Sequence, residues 1–184
     1  MCQRVLVSDE RVLVVLQLSF IFAQWVAILT LLKGGTAVFR EKFDADEFRE
    51  ALADGVTRVA VVPTMMRALS QLGPQDGADG LQGAASFTGA IMSGGEVLDA
   101  PLRQWMRDQW PDAGIWDIYG LTETATTDFI VGPEDGEDAA GTIGQPAPEI
   151  DYRIAEPDGE LQIRSPHSMR GYFGAPELTA EAFD

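Results

Sequence analysis

Between residues 12 and 120, strand-length apolar runs alternate with helix-length amphipathic ones. Val12-Leu13-Val14-Val15-Leu16 and Arg58-Val59-Ala60-Val61-Val62 are rich in β-branched residues and read as strands buried on both faces. Thr36 to Arg40, Phe87 to Met92 and Gly114 to Ile118 are shorter strands. The segments between them carry helix signals. Phe20 to Leu32 suits a buried helix stopped by Lys33-Gly34-Gly35. Asp44 caps the next, with Glu47 completing a capping box and Phe43 stapled to Phe48. Met65, Leu69 and Leu72 share a helix face, with Met65-Met66 read as core. Asp99, followed by Pro101, opens a helix reaching about Trp110. The rhythm βαβαβαβαβ predicts an α/β fold, a parallel sheet with helices on both faces.

After residue 130 the texture changes. Gly132 to Asp138 is an acidic loop, as Gly73 to Gly83 is a Gly/Asp-rich one. Glu149 to Ala155 and Glu160 to Arg164 alternate like strands around Glu156-Pro157-Asp158-Gly159, a turn sequence. Two units are expected: an α/β unit over 1–130 and a small β-rich unit with a hairpin over 131–184.

Composition narrows the function. Lys and Arg total 13 against 29 Asp and Glu, a formal net charge of −16. Nucleic-acid binding needs a basic surface, so that class is excluded. One cysteine, Cys2, forms no internal disulfide, which fits a reducing, cytoplasmic compartment. His167, the single histidine, reads as a solvated loop residue. Val12 to Leu32 carries no charge and would span a bilayer, but Gln17, Ser19 and Gln24 interrupt it, and a strand followed by a helix is the preferred reading.

Two stretches carry chemistry. Tyr119-Gly120-Leu121-Thr122-Glu123-Thr124 leaves a strand with an aromatic ring, two hydroxyls and a carboxylate. Thr122 and Thr124 have donors for phosphate oxygens, and Glu123 is a hard oxygen ligand suited to Mg²⁺. Alone, the six residues equally describe a solvated strand exit. Ser93-Gly94-Gly95-Glu96, between a strand and a helix, offers bare backbone to a flat ring. In a βαβ unit the two would lie side by side beyond the carboxyl ends of neighbouring strands, where open α/β sheets bind ligands.

With Gly159-Glu160-Leu161-Gln162-Ile163-Arg164 and Arg170-Gly171-Tyr172-Phe173, these stretches resemble three successive signatures of the AMP-forming acyl-CoA synthetase family, which includes fatty-acyl and aryl-CoA ligases and luciferases. The resemblance implies a fragment of the family's large N-terminal domain, with a partial α/β nucleotide-binding unit over 1–130 and a partial β-rich unit, part of a β-barrel, over 131–184. It implies a ligase that joins ATP to a carboxylic acid, with Mg²⁺, releases pyrophosphate, and passes the acyl group from AMP to coenzyme A. Gly94, Gly95 and Tyr119 would enclose the adenine, with Glu96 and Gly120 in the same nucleotide-binding set. Thr122 would donate to the α-phosphate and Glu123 would hold Mg²⁺, the two catalytic residues. Phe20, Ala23, Gly94 and Thr124 would border the acyl group.

The likeness has gaps. Phe20 stands where many CoA ligases have histidine, and Glu149 replaces the glycine ending a Gly-Pro-rich run, altering a turn. A Ser/Thr/Gly-rich phosphate loop, a ribose-binding aspartate and a lysine-bearing lid are not in the sequence. The chain therefore reads as the central piece of a ligase; the alternative is a non-catalytic nucleotide-binding or assembly module, self-associating through exposed sheet edges. The expected outcome is no carboxylate-dependent ATP–pyrophosphate exchange by the purified chain; measurable exchange would refute it.

Overall fold

The computed structural model describes residues 8–72, 86–125 and 127–183. Cys2 and the Gly73 to Gly83 loop fall outside the described residues. The chain runs β1 (Arg11–Val14), α1 (Ile21–Leu32), β2 (Thr36–Phe39), α2 (Ala45–Ala53), β3 (Arg58–Val61), α3 (Pro63–Gln71), β4 (Ala90–Gly94), α4 (Ala100–Gln109) and β5 (Gly114–Tyr119). A 3₁₀ turn follows at Thr122–Thr124, then β6 (Phe129–Val131), a second 3₁₀ turn at Glu137–Ala139, β7 (Gln145–Pro146), β8 (Asp151–Ile154), β9 (Leu161–Arg164) and α5 (Pro176–Ala182).

Seven strands form one sheet in the order β2-β1-β3-β4-β5-β6-β7, and β8 pairs with β9 in a separate hairpin. The pairs from β2 through β5 are parallel, while β6 and β7 join antiparallel. The sheet therefore runs on past residue 130 as far as Pro146 before the hairpin begins.

Strand alternation divides the core. Leu13, Val59, Val61, Ile91 and Ile115 face Phe48 of α2, Met66 and Leu69 of α3, and Leu102 and Met106 of α4. Val12, Val14, Ala60, Met92 and Ile118 face Ala23 and Val26 of α1. Both sides of β1 and β3 are thus buried, which is why their sequences are continuous apolar runs and not alternating ones. At the opposite sheet edge from the strand carboxyl ends, Glu10 and Arg58 form a buried bidentate pair, with Arg58 Nη2 2.9 Å from Glu10 Oε1.

Several local signals act as the sequence indicates. Asp44 Oδ1 accepts from the backbone N–H groups of Asp46 and Glu47, and the Phe43 and Phe48 rings lie 5.5 Å apart. Glu47 does not reach back to close a capping box; its carboxylate pairs with Arg40 at 3.3 Å. Asp99 caps α4 through Leu102 N–H at 2.9 Å.

Three further expectations change. The strand written as Phe87 to Met92 starts at Ala90 and continues through Ser93 and Gly94, so only Gly95 belongs to the turn. The helix at residues 21–32 is covered on one face only. Among the described residues nothing covers the other face, leaving Ile28, Leu31 and Leu32 exposed. Glu149 keeps φ at +70°, a left-handed backbone that suits glycine, so the turn survives with about 1–2 kcal/mol of strain. The uncharged run Val12 to Leu32 is split between β1, a connecting turn and α1, and no described helix is long and apolar enough to cross a membrane.

Asp44→Ala should cost about 1 kcal/mol and Phe48→Ala about 3–5 kcal/mol in urea denaturation. The cap bonds are solvent-exposed, whereas Phe48 is 1% exposed at the centre of one core.

Candidate functional site

The β4–β5 ladder pairs Ser93 with Asp117 and Gly94 with Ile118. Parallel pairing brings the two carboxyl ends to one edge, so the Gly95 turn and the Tyr119–Thr124 exit lie side by side. Gly95 leaves the strand at φ +83°, a region that penalises other residues. Gly94 is required by space: a Cβ there would lie 3.0 Å from the Ile118 carbonyl oxygen and 3.4 Å from the Phe22 ring.

Tyr119 is half-buried, with its ring edge-on to Phe129 at 6.0 Å, and Phe129 is in turn edge-on to Tyr152 of β8 at 5.2 Å. Gly120 and Thr122 are exposed, and Glu123 is half-buried. Thr124 turns inward. Its hydroxyl donates to Asp128 Oδ2 at 2.6 Å, and Leu121 N–H donates to the same oxygen at 3.3 Å. Asp128 is wholly buried, and burial pushes its carboxyl above the ordinary value against the pull of those two bonds and of His167. Thr124 thus braces the 3₁₀ turn from beneath.

Glu123 is held at both ends. Its carbonyl accepts from Met169 N–H at 2.6 Å, and its Oε1 accepts from the Tyr172 hydroxyl at 2.7 Å. That bond to Glu123 raises the Tyr172 phenol above its usual range. The second and third sequence signatures, far apart in the chain, therefore meet through Glu123 and Tyr172.

The other residues singled out from sequence take different places. Glu96 Oε2 accepts from Thr64 N–H at 3.2 Å and Thr64 Oγ1 at 2.7 Å, and it pairs with Arg67. It caps α3, whose own preceding residue, Val62, supplies no side-chain cap. Phe20 begins α1 with its side chain in solvent, and Ala23 is fully buried on the core face. The α1 side chain that meets Gly94 is Phe22.

Three polar residues were not singled out. Asp117 lies on the same strand face as Tyr119, and burial raises its carboxyl to about 6, opposed by the Arg103 guanidinium and the Ile118 N–H. Arg103, 2% exposed, donates to the carbonyls of Ile115 at 3.2 Å and Gly132 at 3.0 Å. Asp117 stands two residues after the core residue Ile115 in β5, so strand periodicity puts it on the same, inward face. The buried Asp128 had no comparable signal.

Residues 1–173 match the AMP-binding enzyme family. The chain belongs to that family. It is 32% identical over 189 aligned residues to feruloyl-CoA synthase of an Amycolatopsis species, covering 96% of this chain and 37% of that protein. It is 28% identical to 2-succinylbenzoate–CoA ligase of Bacillus pumilus, covering 96% and 36%. The chain thus spans about a third of the length of these curated relatives.

Solved structures share its fold. The N-terminal domain of FACL13 from Mycobacterium tuberculosis superposes with TM-score 0.79 at 21% identity, over 97% of this chain and 46% of that one. The O-succinylbenzoate coenzyme A synthetase of Bacillus subtilis, in complex with ATP and magnesium ion, superposes with TM-score 0.77 at 21% identity, over 97% and 38%. The mostly parallel sheet with its helices is therefore the N-terminal-domain fold of adenylate-forming enzymes.

The raised Asp117 carboxyl makes stability depend on pH. The folded chain holds this proton more tightly than the unfolded chain, whose aspartate titrates near 3.8. The associated stability is complete below about pH 4 and is lost as pH rises through about 6. Asp117→Asn removes that loss. Between pH 4 and pH 7.5 the variant should gain about 2–3 kcal/mol relative to the parent chain in paired denaturation curves. A pH-independent difference would show that the carboxyl is not perturbed.

Proposed function

We propose that this chain carries the adenylate-binding corner of an AMP-forming carboxylate–CoA ligase. The observation that carries the reading is the junction of Gly94-Gly95 and Tyr119–Glu123 at adjacent strand ends, in a member of the AMP-binding family. The names of its relatives, a feruloyl-CoA synthase and a succinylbenzoate–CoA ligase, support coenzyme A as the acceptor. Related solved complexes with ATP and magnesium, and with an acyl-adenylate, support the nucleotide and the intermediate.

In the first half-reaction a carboxylate oxygen attacks the α-phosphorus of ATP, the bond to the β-phosphate oxygen breaks, and pyrophosphate leaves. In the second, the coenzyme A sulfur attacks the acyl carbon and AMP leaves. An anion approaches a polyanion in the first step, on a chain whose net charge is already −16. Positive charge and aimed donors are therefore needed at the reacting atoms.

The residues fit that need. Gly94 and Gly95 present backbone to one face of the adenine, and the Tyr119 ring borders the other. Gly120 lets the strand exit pass close to the nucleotide. Thr122, exposed on the 3₁₀ turn, donates its hydroxyl to the α-phosphate. Glu123 supplies one carboxylate to Mg²⁺. No group of three or more His, Cys, Asp or Glu among the described residues would cage a metal, which matches an ion held by one carboxylate and the substrate's own phosphates. When bound, Mg²⁺ neutralises phosphate charge. Phe22, against Gly94, borders the acyl side; Thr124 and Glu96 serve by bracing the two loops.

A second reading is a nucleotide-binding assembly module without turnover. The uncovered apolar face of α1, with Ile28, Leu31 and Leu32, favours it.

Calorimetric titration with a non-hydrolysable acyl-adenylate analogue tests both readings. The analogue should bind the chain, and Thr122→Ala should weaken it about tenfold through loss of a charge-assisted hydrogen bond. A folded chain that does not bind the analogue would leave the assembly reading in its place.

A further inference from the structure

The geometry points to Tyr172 as the positioning residue of the Glu123 carboxylate: its phenol O–H holds one carboxylate oxygen so that the other faces the Mg²⁺ of a bound nucleotide. The inference rests on the ligase reading above and assigns a role to a residue outside the nucleotide-binding set.

Glutamate has three side-chain torsions, and fixing them on metal binding costs conformational entropy. Here the ordering is done in advance. The backbone of Glu123 is pinned by Met169 N–H at 2.6 Å and its Oε1 by the Tyr172 hydroxyl at 2.7 Å. Among the described residues, no donor occupies the other carboxylate oxygen.

Tyr172 is itself mounted firmly. Its backbone N–H donates to Thr179 Oγ1 at 2.9 Å, and that hydroxyl donates to the Ala175 carbonyl at 2.9 Å. Ala175 N–H closes the loop onto the Tyr172 carbonyl at 3.2 Å. The phenol therefore projects from a small hydrogen-bonded ring that includes the first turn of α5.

The donor type matters as much as the distance. A phenol is neutral, so it satisfies one oxygen and leaves the carboxylate's charge for the cation. Arg or Lys in its place would compete with Mg²⁺ for that charge. Groups that hydrogen-bond a metal ligand from behind characteristically change metal affinity by 10–100-fold when removed. A purely structural tie between the two loops is already made by the Met169–Glu123 backbone bond, which Tyr172→Phe leaves intact.

The test is titration of the chain with α,β-methylene-ATP in Mg²⁺ and in EDTA. The parent should bind more tightly in Mg²⁺. Tyr172→Phe should keep its EDTA affinity and melting temperature but lose about tenfold of the tightening by Mg²⁺. In a Glu123→Gln background the same substitution should change nothing further. Unchanged tightening in Tyr172→Phe, or an equal loss in the Glu123→Gln background, overturns the inference while the ligase reading stands. Absence of nucleotide binding by the parent in both conditions overturns the ligase reading and this inference with it.

Discussion

The candidate site depends on the parallel ladder between β4 and β5. Each strand alone ends in an ordinary loop. Pairing Ser93 with Asp117 and Gly94 with Ile118 places a side-chain-free turn against a turn that carries a ring, a hydroxyl and a carboxylate. The ladder cannot slip. A one-residue shift would move Ile91 and Ile115 out of one core and Met92 and Ile118 out of the other. Burial on both faces thereby sets the register, and the register sets the separation of the two loops.

Around that ladder, polar side chains secure the loops from below. Thr124 and Asp128 brace the 3₁₀ turn, Glu96 joins the β4 exit to the start of α3, and Arg103 ties α4 to β5 and to the loop after β6. Thr124, Asp128 and Arg103 are buried, where an unpaired partner is expensive, so their bonds constrain geometry beyond their net stability, whereas the Glu96 cap is exposed. Thr122 and Gly120 stay exposed at the strand exit. The hairpin side of the chain takes part through Tyr152 against Phe129 and through Tyr172 on Glu123.

On the proposed ligase reading, an acidic chain that handles anionic substrates has to act locally. At a Debye length of about 8 Å the far charges are screened under cellular salt, while a donor or cation in contact with phosphate is not. This makes the orientation of a single carboxylate at the site more consequential than the overall charge.

Much of the architecture was legible in the sequence. Strand runs buried on both faces, the Asp44 and Asp99 caps and the Phe43–Phe48 staple are local, and their physics lies within a few neighbouring residues. The order of the signatures told the family for the same reason. What the sequence could not tell was which side chains face a ligand and which face the core. Thr122 and Thr124 look alike in the chain, yet one is exposed and the other is spent on Asp128. Phe20 and Ala23 read as site residues, yet Phe22 is the one that reaches Gly94. Glu96 reads as part of a glycine turn, yet it caps a helix from across a loop. Tyr172 and Glu123 meet only once the sheet and the loop beyond the hairpin are both in place. Local propensity and periodicity are written in neighbouring residues, so the sequence by itself determined the elements and the family. Partners distant in the chain are chosen by packing and register, so only the tertiary structure decided which groups make up the site and which hold it.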